Sequence, residues 1–436
     1  MKRVEDVTAC VVDYGTFISI AAKLAESMAR CFYHSPFETE YQNVRNCVLG
    51  VGIEGVERLD EIFGPEFDDI DLFVFPDIGF GDLQRQLRKM GKAVWGHMGA
   101  NDLELYRDYF LEVLKKVGLP RIPSKKIVGL TALRKYLYDH ENQWVKIDRF
   151  RGNMETWRHF NYTQSQRTLD NYEVIFGGAK EYIVFIVQQH LDTDMEVGYD
   201  GWCVDGEYPE ASWQGYEKKN ELYLGSVMAA KDLPDEIRTV NDAMGPVLAD
   251  YGYRDWWATE IREAKGVPYF IDPTPRMPGQ TGEHQQETIT NFADIIWQGA
   301  NGIIIKPDFM WKFAAEATLH YDSSTRDPTI NNEWKILEPP KNALRWLKFY
   351  HYCVLDGAYH FMAEDTDEVG VVLGVGDDVE EAIEHLNENL KLLKDMPVHA
   401  DTRGFADLLE SIKEAEKQGI AFGGKIPKPE IALRVG

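Results

Sequence analysis

Residues 258–283 have the sequence ATEIREAKGVPYFIDPTPRMPGQTGE, in which two strand-like runs flank a Lys-Gly-Val loop at 265–267. A hairpin closed by this loop places Glu260 opposite Asp272, with their Cβ atoms about 5 Å apart on one face of the sheet. Two carboxylates so close repel each other unless a cation lies between them, and Mg²⁺ prefers such oxygen ligands together with substrate phosphates. The pair therefore predicts a magnesium site. The alternative is an exposed hairpin edge whose acids are only solvated.

Two more polar residues follow Asp272 at intervals of two, namely Thr274 and Arg276. Residues two apart in a strand lie on the same face, so these three side chains are expected to line one pocket. The guanidinium of Arg276 would there bind a phosphoryl oxygen or a carboxylate.

A second signal is Lys146, which lies inside the apolar strand WVKID directly before the loop RFRGNMETW. The loop adds the charges of Arg149 and Arg151, and Gly152 permits a close approach of the backbone. Together these residues predict a phosphate-binding segment with Lys146 as a ligand. The alternative is a lysine on the outward face of its strand, in solvent.

A third signal is the apolar strand IVFIV at 183–187, which ends in the polar hinge Gln-Gln-His-Leu at 188–191. Backbone groups at such a hinge can hydrogen-bond to adenine, and an acid downstream, Glu196, can accept bonds from ribose hydroxyls. His190 alone is more typical of a structural histidine than of a catalyst.

The first hundred residues are arranged in strand-loop-helix units. An apolar run at 8–13 precedes a glycine loop and an amphipathic helix, and a second unit has strands at 72–75 and 93–95 with a helix at 82–90 between them. This arrangement predicts a doubly wound parallel sheet. The glycines of the second loop lack the GxGxxG spacing of a dinucleotide-binding site.

The remainder of the chain predicts a different architecture. A long amphipathic helix is expected from Asn101 to Gly118, followed by extended, aromatic-rich segments and hairpins that favour an antiparallel α+β region. A stretch rich in Pro, Asn and Ser then precedes a strand ending at Gly376 and helices at 379–393 and 404–417. The predicted fold class is thus α/β and α+β, with a small parallel-sheet N-terminal domain at 1–100, a central domain at 101–305 and a C-terminal α+β module at 306–436.

Composition excludes several classes of protein. The chain has 436 residues, 47 Lys and Arg against 72 Asp and Glu, and a net charge of −25. Such a charge repels phosphate backbones and anionic lipids, so we expect no direct binding to a nucleic-acid backbone or to a membrane. Five cysteines without a CxxC pair predict reduced thiols, and the N-terminal residues lack the apolar segment of a signal peptide. These features favour a cytoplasmic protein.

The order of the signals resembles the ATP-grasp superfamily: a parallel α/β domain, a lysine strand before a glycine-containing loop, a hinge with a downstream Glu, and then Glu…Asp-x-Thr-x-Arg. Within that superfamily the chain resembles the phosphoribosylamine–glycine ligase family over nearly its whole length, including the C-terminal stretch VVLGVGDDVEEAIEHLNENLKLL. The resemblance makes 101–305 an ATP-grasp nucleotide-binding domain and 1–100 the domain that precedes it.

The resemblance also implies a role for each matching residue. It makes Arg276 and Lys146 catalytic. It assigns nucleotide binding to Arg107, Lys146, Gly152, Gln188, Gln189, His190, Leu191 and Glu196. It assigns metal binding to Glu260, Asp272 and Thr274, the last at the position of the family's usual Asn.

The implied activity is that of an ATP-dependent carboxylate-amine ligase. A carboxylate attacks the γ-phosphate of ATP, an amine captures the resulting acyl phosphate, and ADP and phosphate are released. The implied cofactors are ATP and Mg²⁺. The implied partners are a small carboxylate and an amine, with glycine and a sugar-phosphate or nucleotide amine as first candidates, and a second copy of the chain in a homodimer. Two alternatives are an inactive nucleotide-binding homologue and a phosphotransferase that uses the same ATP site.

Overall fold

The computed structural model describes residues 1–36, 47–149, 156–192, 196–322, 335–361 and 367–423. Arg151 and Gly152, which the sequence places in the phosphate-binding segment, lie outside the described residues.

Helices pack against the sheets throughout the described residues. They are α1 (Ile18–Ala25), α2 (Gly81–Lys89), α3 (Asp102–Leu105), α4 (Arg107–Val117), α5 (Leu130–Tyr138), α6 (Tyr162–Phe176), α7 (Asp235–Tyr251), α8 (Gln285–Thr288), α9 (Phe292–Ala300), α10 (Val379–Lys391) and α11 (Phe405–Lys417).

The strands of the described residues form four sheets. They are β1 (Thr8–Val12), β2 (Arg30–His34), β3 (Val56–Arg58), β4 (Leu72–Val74), β5 (Ala93–Trp95), β6 (Ser124–Val128), β7 (Gln143–Ile147), β8 (Thr156–His159), β9 (Val184–Gln189), β10 (Glu196–Val204), β11 (Ala211–Lys218), β12 (Leu222–Ala229), β13 (Arg254–Ala264), β14 (Val267–Thr274), β15 (Phe313–Tyr321), β16 (Lys335–Leu337), β17 (Leu347–Phe349), β18 (Tyr352–Leu355), β19 (Ala358–Phe361), β20 (Glu368–Gly376) and β21 (Val398–His399).

The N-terminal sheet is parallel, as the sequence predicts, with the strand order β3-β2-β1-β4-β5. The order reverses between β1 and β4, and in doubly wound sheets a crevice for ligands opens at the carboxyl ends of the strands at such a point. The chain leaves β4 through Pro76 and Asp77. Pro76 accepts a backbone hydrogen bond from Met277, so this crevice meets the segment that follows β14.

Three antiparallel sheets follow, and the smallest has the strand order β16-β19-β18. Another has four strands in the order β6-β9-β7-β8. The third has nine, with β14, β13, β10, β11, β12, β15, β20 and β17 in order and β21 beside β15. The predicted mixed fold class, with a parallel sheet and large antiparallel sheets, is confirmed. The nine-stranded sheet contains strands from both sides of residue 305, and the domain limits at 100 and 305 stay predictions.

The largest hydrophobic core joins the N-terminal sheet to the nine-stranded sheet. Trp95 at the end of β5 packs edge-to-face on Trp256 of β13, with ring centroids 5.3 Å apart, and both side chains are buried. Helix α9 packs against both strands. The two sheets are therefore held together by shared apolar contacts, which is what lets residues from both reach one site.

The prediction of one helix from Asn101 to Gly118 is wrong, because the segment forms α3 and α4 with a break at Tyr106. Tyr106 has φ −118° and ψ 88°, outside the helical region, whereas the predicted end at Gly118 is confirmed by its left-handed φ of 82°. Amphipathic spacing continues across the break and so did not reveal it. The break directs Glu104 and Arg107 toward the same cavity.

In the hairpin β13–β14, Glu260 pairs with Asp272, as the sequence predicts. The predicted three-residue loop is wrong. The turn has two residues, Lys265 and Gly266, both with positive φ (58° and 77°), as in a type I′ turn. A bulge at Ile271 supplies the extra residue and restores the register.

Two further observations concern the chain as a whole. The five cysteines, all within the described residues, are buried and form no disulfide with one another. Among the described residues, no helix has the length and apolar character needed to cross a membrane.

The positive φ at Gly266 makes a testable prediction about the hairpin. Gly266→Ala adds a Cβ that meets no atom within 4 Å, so its cost is the left-handed conformation alone, about 1 kcal/mol. We expect the thermal midpoint to fall by roughly 1–2 °C in calorimetry. Gly178→Ala is the matched control, because Gly178 lies in a 3₁₀ turn, also in open space. An equal effect of both substitutions would contradict the turn assignment.

Candidate functional site

A cavity of about 1660 Å³ lies between the four-stranded sheet, the nine-stranded sheet and the segment after β14. Strands β7 and β9 line one side, β10, β11, β13 and β14 line another, and α4 contributes Arg107. Helix α11 lines a further part of the wall through Leu408, Ser411 and Ala415. Ligand pockets typically measure about 300–1000 Å³, so this cavity has room for more than one small molecule.

Two cations converge on Asp272. Arg107 Nη1 lies 2.6 Å from Asp272 Oδ1, and Lys146 Nζ lies 3.2 Å from Asp272 Oδ2. Lys146 is 5 % exposed, which excludes a solvated outward lysine. Burial alone would raise the pKa of Asp272, but the charges of Lys146 and Arg107 outweigh it and hold the pKa well below its usual range. The pair Lys146 and Arg107 therefore forms a concentrated positive site around one carboxylate.

Three carboxylates lie beside this ion pair. One oxygen each of Glu196, Glu217 and Glu260 lies within 4.8 Å of the others. Burial, reinforced by neighbouring acids, raises the pKa of Glu260 well above its usual range and that of Glu217 to about 7. Arg262 Nε lies 2.7 Å from Glu196 Oε2 and pairs with only this member. Hard divalent cations such as Mg²⁺ take such oxygen ligands, so the donor set fits a metal of that kind.

Arg276 is held by acids of the N-terminal part of the chain. Its Nη2 lies 3.0 Å from Glu104 Oε1, its Nε lies 3.9 Å from Asp77 Oδ1, and its Nη1 donates to the carbonyl of Met277. Burial alone would lower the pKa of Arg276, but the charges of Glu104 and Asp77 outweigh it and raise the pKa. Arg276 thus lies at the end of the cavity nearest the crevice of the parallel sheet.

The hinge after β9 has fewer free backbone groups than its sequence indicates. The N–H of Gln189 donates to Pro123 and that of His190 donates to Asn142. The imidazole of His190 accepts a hydrogen bond from Trp144 Nε1 at 3.1 Å, and Trp144 itself lines the cavity. A backbone N–H for an adenine nitrogen would therefore come from Leu191, which also lines the cavity.

The structure brings most of the sequence-predicted residues to this one cavity. Its lining includes Arg107, Lys146, Gln188, Gln189, Leu191, Glu196, Glu260, Asp272, Thr274 and Arg276. The side chain of His190 lies behind Trp144 instead. The roles of all these sequence-predicted residues stay predictions. Sequence analysis missed Glu217 and Glu104, because neither belongs to a recognisable spacing and each reaches the site only through strand pairing or the break before α4.

The fold is similar to that of known proteins in one of three comparisons. No protein-family model matches the chain, and no curated protein sequence does. Among solved structures, it resembles phosphoribosylamine–glycine ligase from Thermotoga maritima, at 16 % identity and a TM-score of 0.62, over 91 % of this chain and 98 % of that one. The chain has the ATP-grasp fold.

Two more solved structures show the same likeness. An ADP complex of N5-carboxyaminoimidazole ribonucleotide synthetase is 14 % identical, with a TM-score of 0.59, over 90 % of this chain and 99 % of that one. The biotin carboxylase domain of 2-oxoglutarate carboxylase from Hydrogenobacter thermophilus, a dimer with MgADP and bicarbonate, is 13 % identical, with a TM-score of 0.59, over 95 % of this chain and 96 % of that one. The expected resemblance in fold is confirmed, and at these identities it concerns the fold.

The carboxylate cluster makes a prediction about stability. Without a bound cation the three acids repel one another, so Glu217→Gln should raise the thermal midpoint of the ligand-free protein by roughly 1 °C or more. The matched control is Glu221→Gln, since Glu221 lies nearby but forms an exposed ion pair with Lys218 and should change little. A lower midpoint for Glu217→Gln in calorimetry would contradict the repulsion.

Proposed function

We propose that the protein is an ATP-dependent carboxylate-amine ligase that works through an acyl phosphate and releases ADP and phosphate. The observation that carries this proposal is the convergence of Arg107 and Lys146 on Asp272, beside three carboxylates, inside one large cavity of an ATP-grasp fold. A paired set of cations next to a hard-metal donor set is the arrangement that a nucleotide polyphosphate needs.

The proposal gives each wall of the cavity a part in binding ATP. Lys146 and Arg107 bind the phosphates, exchanging the carboxylate of Asp272 for phosphate oxygens. Gln188 and Leu191 of the hinge contact the adenine, with Trp144 packed beside His190. Glu196, at the start of β10, accepts bonds from the ribose or contributes to the metal site. Gln189 and His190 support the hinge through their backbone bonds.

Mg²⁺ is proposed to be held by Glu260, Asp272 and Thr274, as the resemblance implies, and Glu217 joins them as a ligand that the sequence did not indicate. Glu260 and Asp272 are paired across β13 and β14, and Thr274 is paired with Ala258 one step further along. When bound there, the ion would supply positive charge to the phosphate oxygens. The raised pKa values of Glu217 and Glu260 support this assignment, because burial and the neighbouring acids outweigh the charge of Lys219 at both groups.

Arg276 is proposed to stabilise the phosphoryl group during its transfer. Glu104 and Asp77 hold its guanidinium at the end of the cavity, and a charged group held in place in this way can stabilise charge that develops during transfer. Catalysis of phosphoryl transfer depends mainly on positioning and charge neutralisation, and no protein nucleophile is required.

The proposed substrates are a small carboxylate and an amine, and glycine with a sugar-phosphate or nucleotide amine are the first pairs to assay. A homodimer and a cytoplasmic location complete the proposal. The absence of any product in the assays below would favour an inactive nucleotide-binding homologue. A phosphorylated product formed without any requirement for an amine would favour a phosphotransferase.

Loss of the phosphate lysine tests nucleotide binding. Lys146→Ala should weaken the binding of Mg-ATP, measured by calorimetry, by at least about tenfold, because a buried charge-assisted contact contributes about 1.5–3 kcal/mol. Lys125→Ala and Lys126→Ala are the controls, since both are exposed lysines of β6. Equal affinities in all three variants would exclude Lys146 from the site.

The identity of the nucleotide product tests the mechanism. Hydroxylamine added with ATP, Mg²⁺ and an accepted carboxylate should yield a hydroxamate together with ADP, because attack occurs at the γ-phosphate. Arg276→Ala should suppress both products together. Chromatographic detection of AMP and pyrophosphate would instead mean attack at the α-phosphate, and the acyl-phosphate mechanism would then be wrong.

A further inference from the structure

The floor of the cavity is one face of the nine-stranded sheet. Residues paired across its neighbouring strands form rows on this face. One row runs from Asp272 through Glu260 to Gly198 and on to Gly215. The next row, two residues further along each strand, runs from Thr274 through Ala258 to Asp200. Residues two apart lie on the same face about 6.8 Å from each other. Asp200 therefore lies on the face that carries Glu260, one row away from the proposed metal site.

This second row lies on the side of Arg276, which follows Thr274 by two residues. Gly198, Gly215 and Ala258 line the cavity with no side chain larger than a methyl group, and Asp200 lines it beside them, with Tyr223 over part of this floor. Asp200 is on β10, two strands from β14, or about 10 Å across the sheet from Thr274. Asp200 is thus an acid on the same cavity floor as the place where the acyl phosphate is proposed to form.

Asp200 is held in one orientation by Tyr223. The Tyr223 hydroxyl donates to Asp200 Oδ2 at 2.8 Å. The ring of Tyr223 covers the neighbouring glycines so closely that a Cβ at Gly215 would lie 2.1 Å from its Cε2 and one at Gly225 would lie 2.7 Å from its Cε1. Its other face stacks on His284, with ring centroids 5.3 Å apart. Tyr223 cannot rotate away, so it fixes the carboxyl group.

We propose that Asp200 is the base that removes a proton from the ammonium form of the amine substrate, with Tyr223 as its positioning residue. This inference rests on the proposed ligase activity. An ammonium group carries no free electron pair and cannot attack a carbonyl carbon, so an amine that arrives protonated must first lose a proton. Asp200 is the buried acid on the cavity floor that the proposed nucleotide and metal sites do not use.

The step balances in atoms and charge. The carboxylate of Asp200 takes one proton from the ammonium nitrogen, and the freed electron pair forms the new C–N bond to the acyl carbon. The C–O bond between the acyl carbon and the phosphate oxygen then breaks, and phosphate leaves with the electron pair of that bond. The amide nitrogen then loses its extra proton to the departing phosphate, and Asp200 returns its own proton to solvent.

The surroundings of Asp200 suit this exchange. Burial raises its pKa to about 8, the Tyr223 hydrogen bond lowers it, and the charges of Glu217 on β11 and Glu316 on β15 raise it. Alkylamines resemble the lysine side chain, whose pKa is about 10.4. A carboxyl group with a raised pKa accepts a proton from such an amine more readily than an ordinary carboxyl group does, because the two pKa values are closer.

The test compares two nucleophiles in the full-length protein. Hydroxylamine is largely unprotonated at neutral pH and needs no base, whereas an alkylamine, such as the amine of an aminodeoxy sugar phosphate, is an ammonium ion and needs one. With a panel of carboxylates that begins with glycine, Asp200→Asn should lose at least about 100-fold in amine capture at pH 8, where a large share of Asp200 is ionised. Its hydroxamate formation and its Mg-ADP affinity should equal those of the wild type. Amine capture by the variant should recover toward pH 10, where the amine is itself deprotonated.

Two further variants complete the design. Tyr223→Phe should show a smaller loss with the same dependence on the nucleophile, and it serves in place of Asp200→Asn if the latter does not fold. Glu410→Gln is the matched control, because Glu410 also lines the cavity but is exposed on α11. It should leave both reactions unchanged.

The possible outcomes separate this inference from the proposed function. Equal losses with both nucleophiles would assign Asp200 to phosphoryl transfer or metal binding and overturn the proposal, and so would no loss with either. A wild type that forms no hydroxamate from any carboxylate, or that captures hydroxylamine but no amine, would contradict the ligase activity itself, and the inference would fall with it.

Discussion

The structure of the site depends on the ion pairs that join Asp272 to Arg107 and Lys146. Each partner comes from a different part of the fold: Asp272 from the nine-stranded sheet, Lys146 from the four-stranded sheet and Arg107 from helix α4. Lys146 is almost fully buried and would be costly to keep charged without a partner. The ion pairs therefore hold both sheets and the helix around one cavity, and the charge of Asp272 opposes the lowering of the Lys146 pKa by burial.

The same interaction separates charges within the cavity. Lys146 and Arg107 hold the pKa of Asp272 well below its usual range, so this carboxylate stays ionised throughout the ordinary pH range. The neighbouring acids Glu217 and Glu260 show the opposite shift, because burial and mutual repulsion dominate there. Positive and negative charge are thus separated within one site, although the chain as a whole is strongly acidic.

How much the sequence could predict depended on whether a feature is local. The pairing of Glu260 with Asp272 follows from one hairpin and was predicted correctly, although a two-residue turn and a bulge at Ile271 replace the predicted loop. The position of Lys146 within a strand could likewise be predicted from the residues next to it. Glu217 and Asp200 could not be placed in the same way, because each reaches the floor only through pairing between strands that are distant in sequence.

Hydrogen bonding to the backbone also lies beyond sequence patterns. The hinge residues were expected to present free backbone groups, yet the N–H groups of Gln189 and His190 already donate to the carbonyls of Pro123 and Asn142. Likewise, the break before α4 is invisible in the amphipathic spacing but brings Glu104 to Arg276. An ATP-grasp fold can be predicted from a few widely spaced residues, since each holds its place in a strand. Which side chains meet in the cavity depends on strand register, bulges and helix breaks. Proteins that share a fold at low sequence identity can differ in all three features.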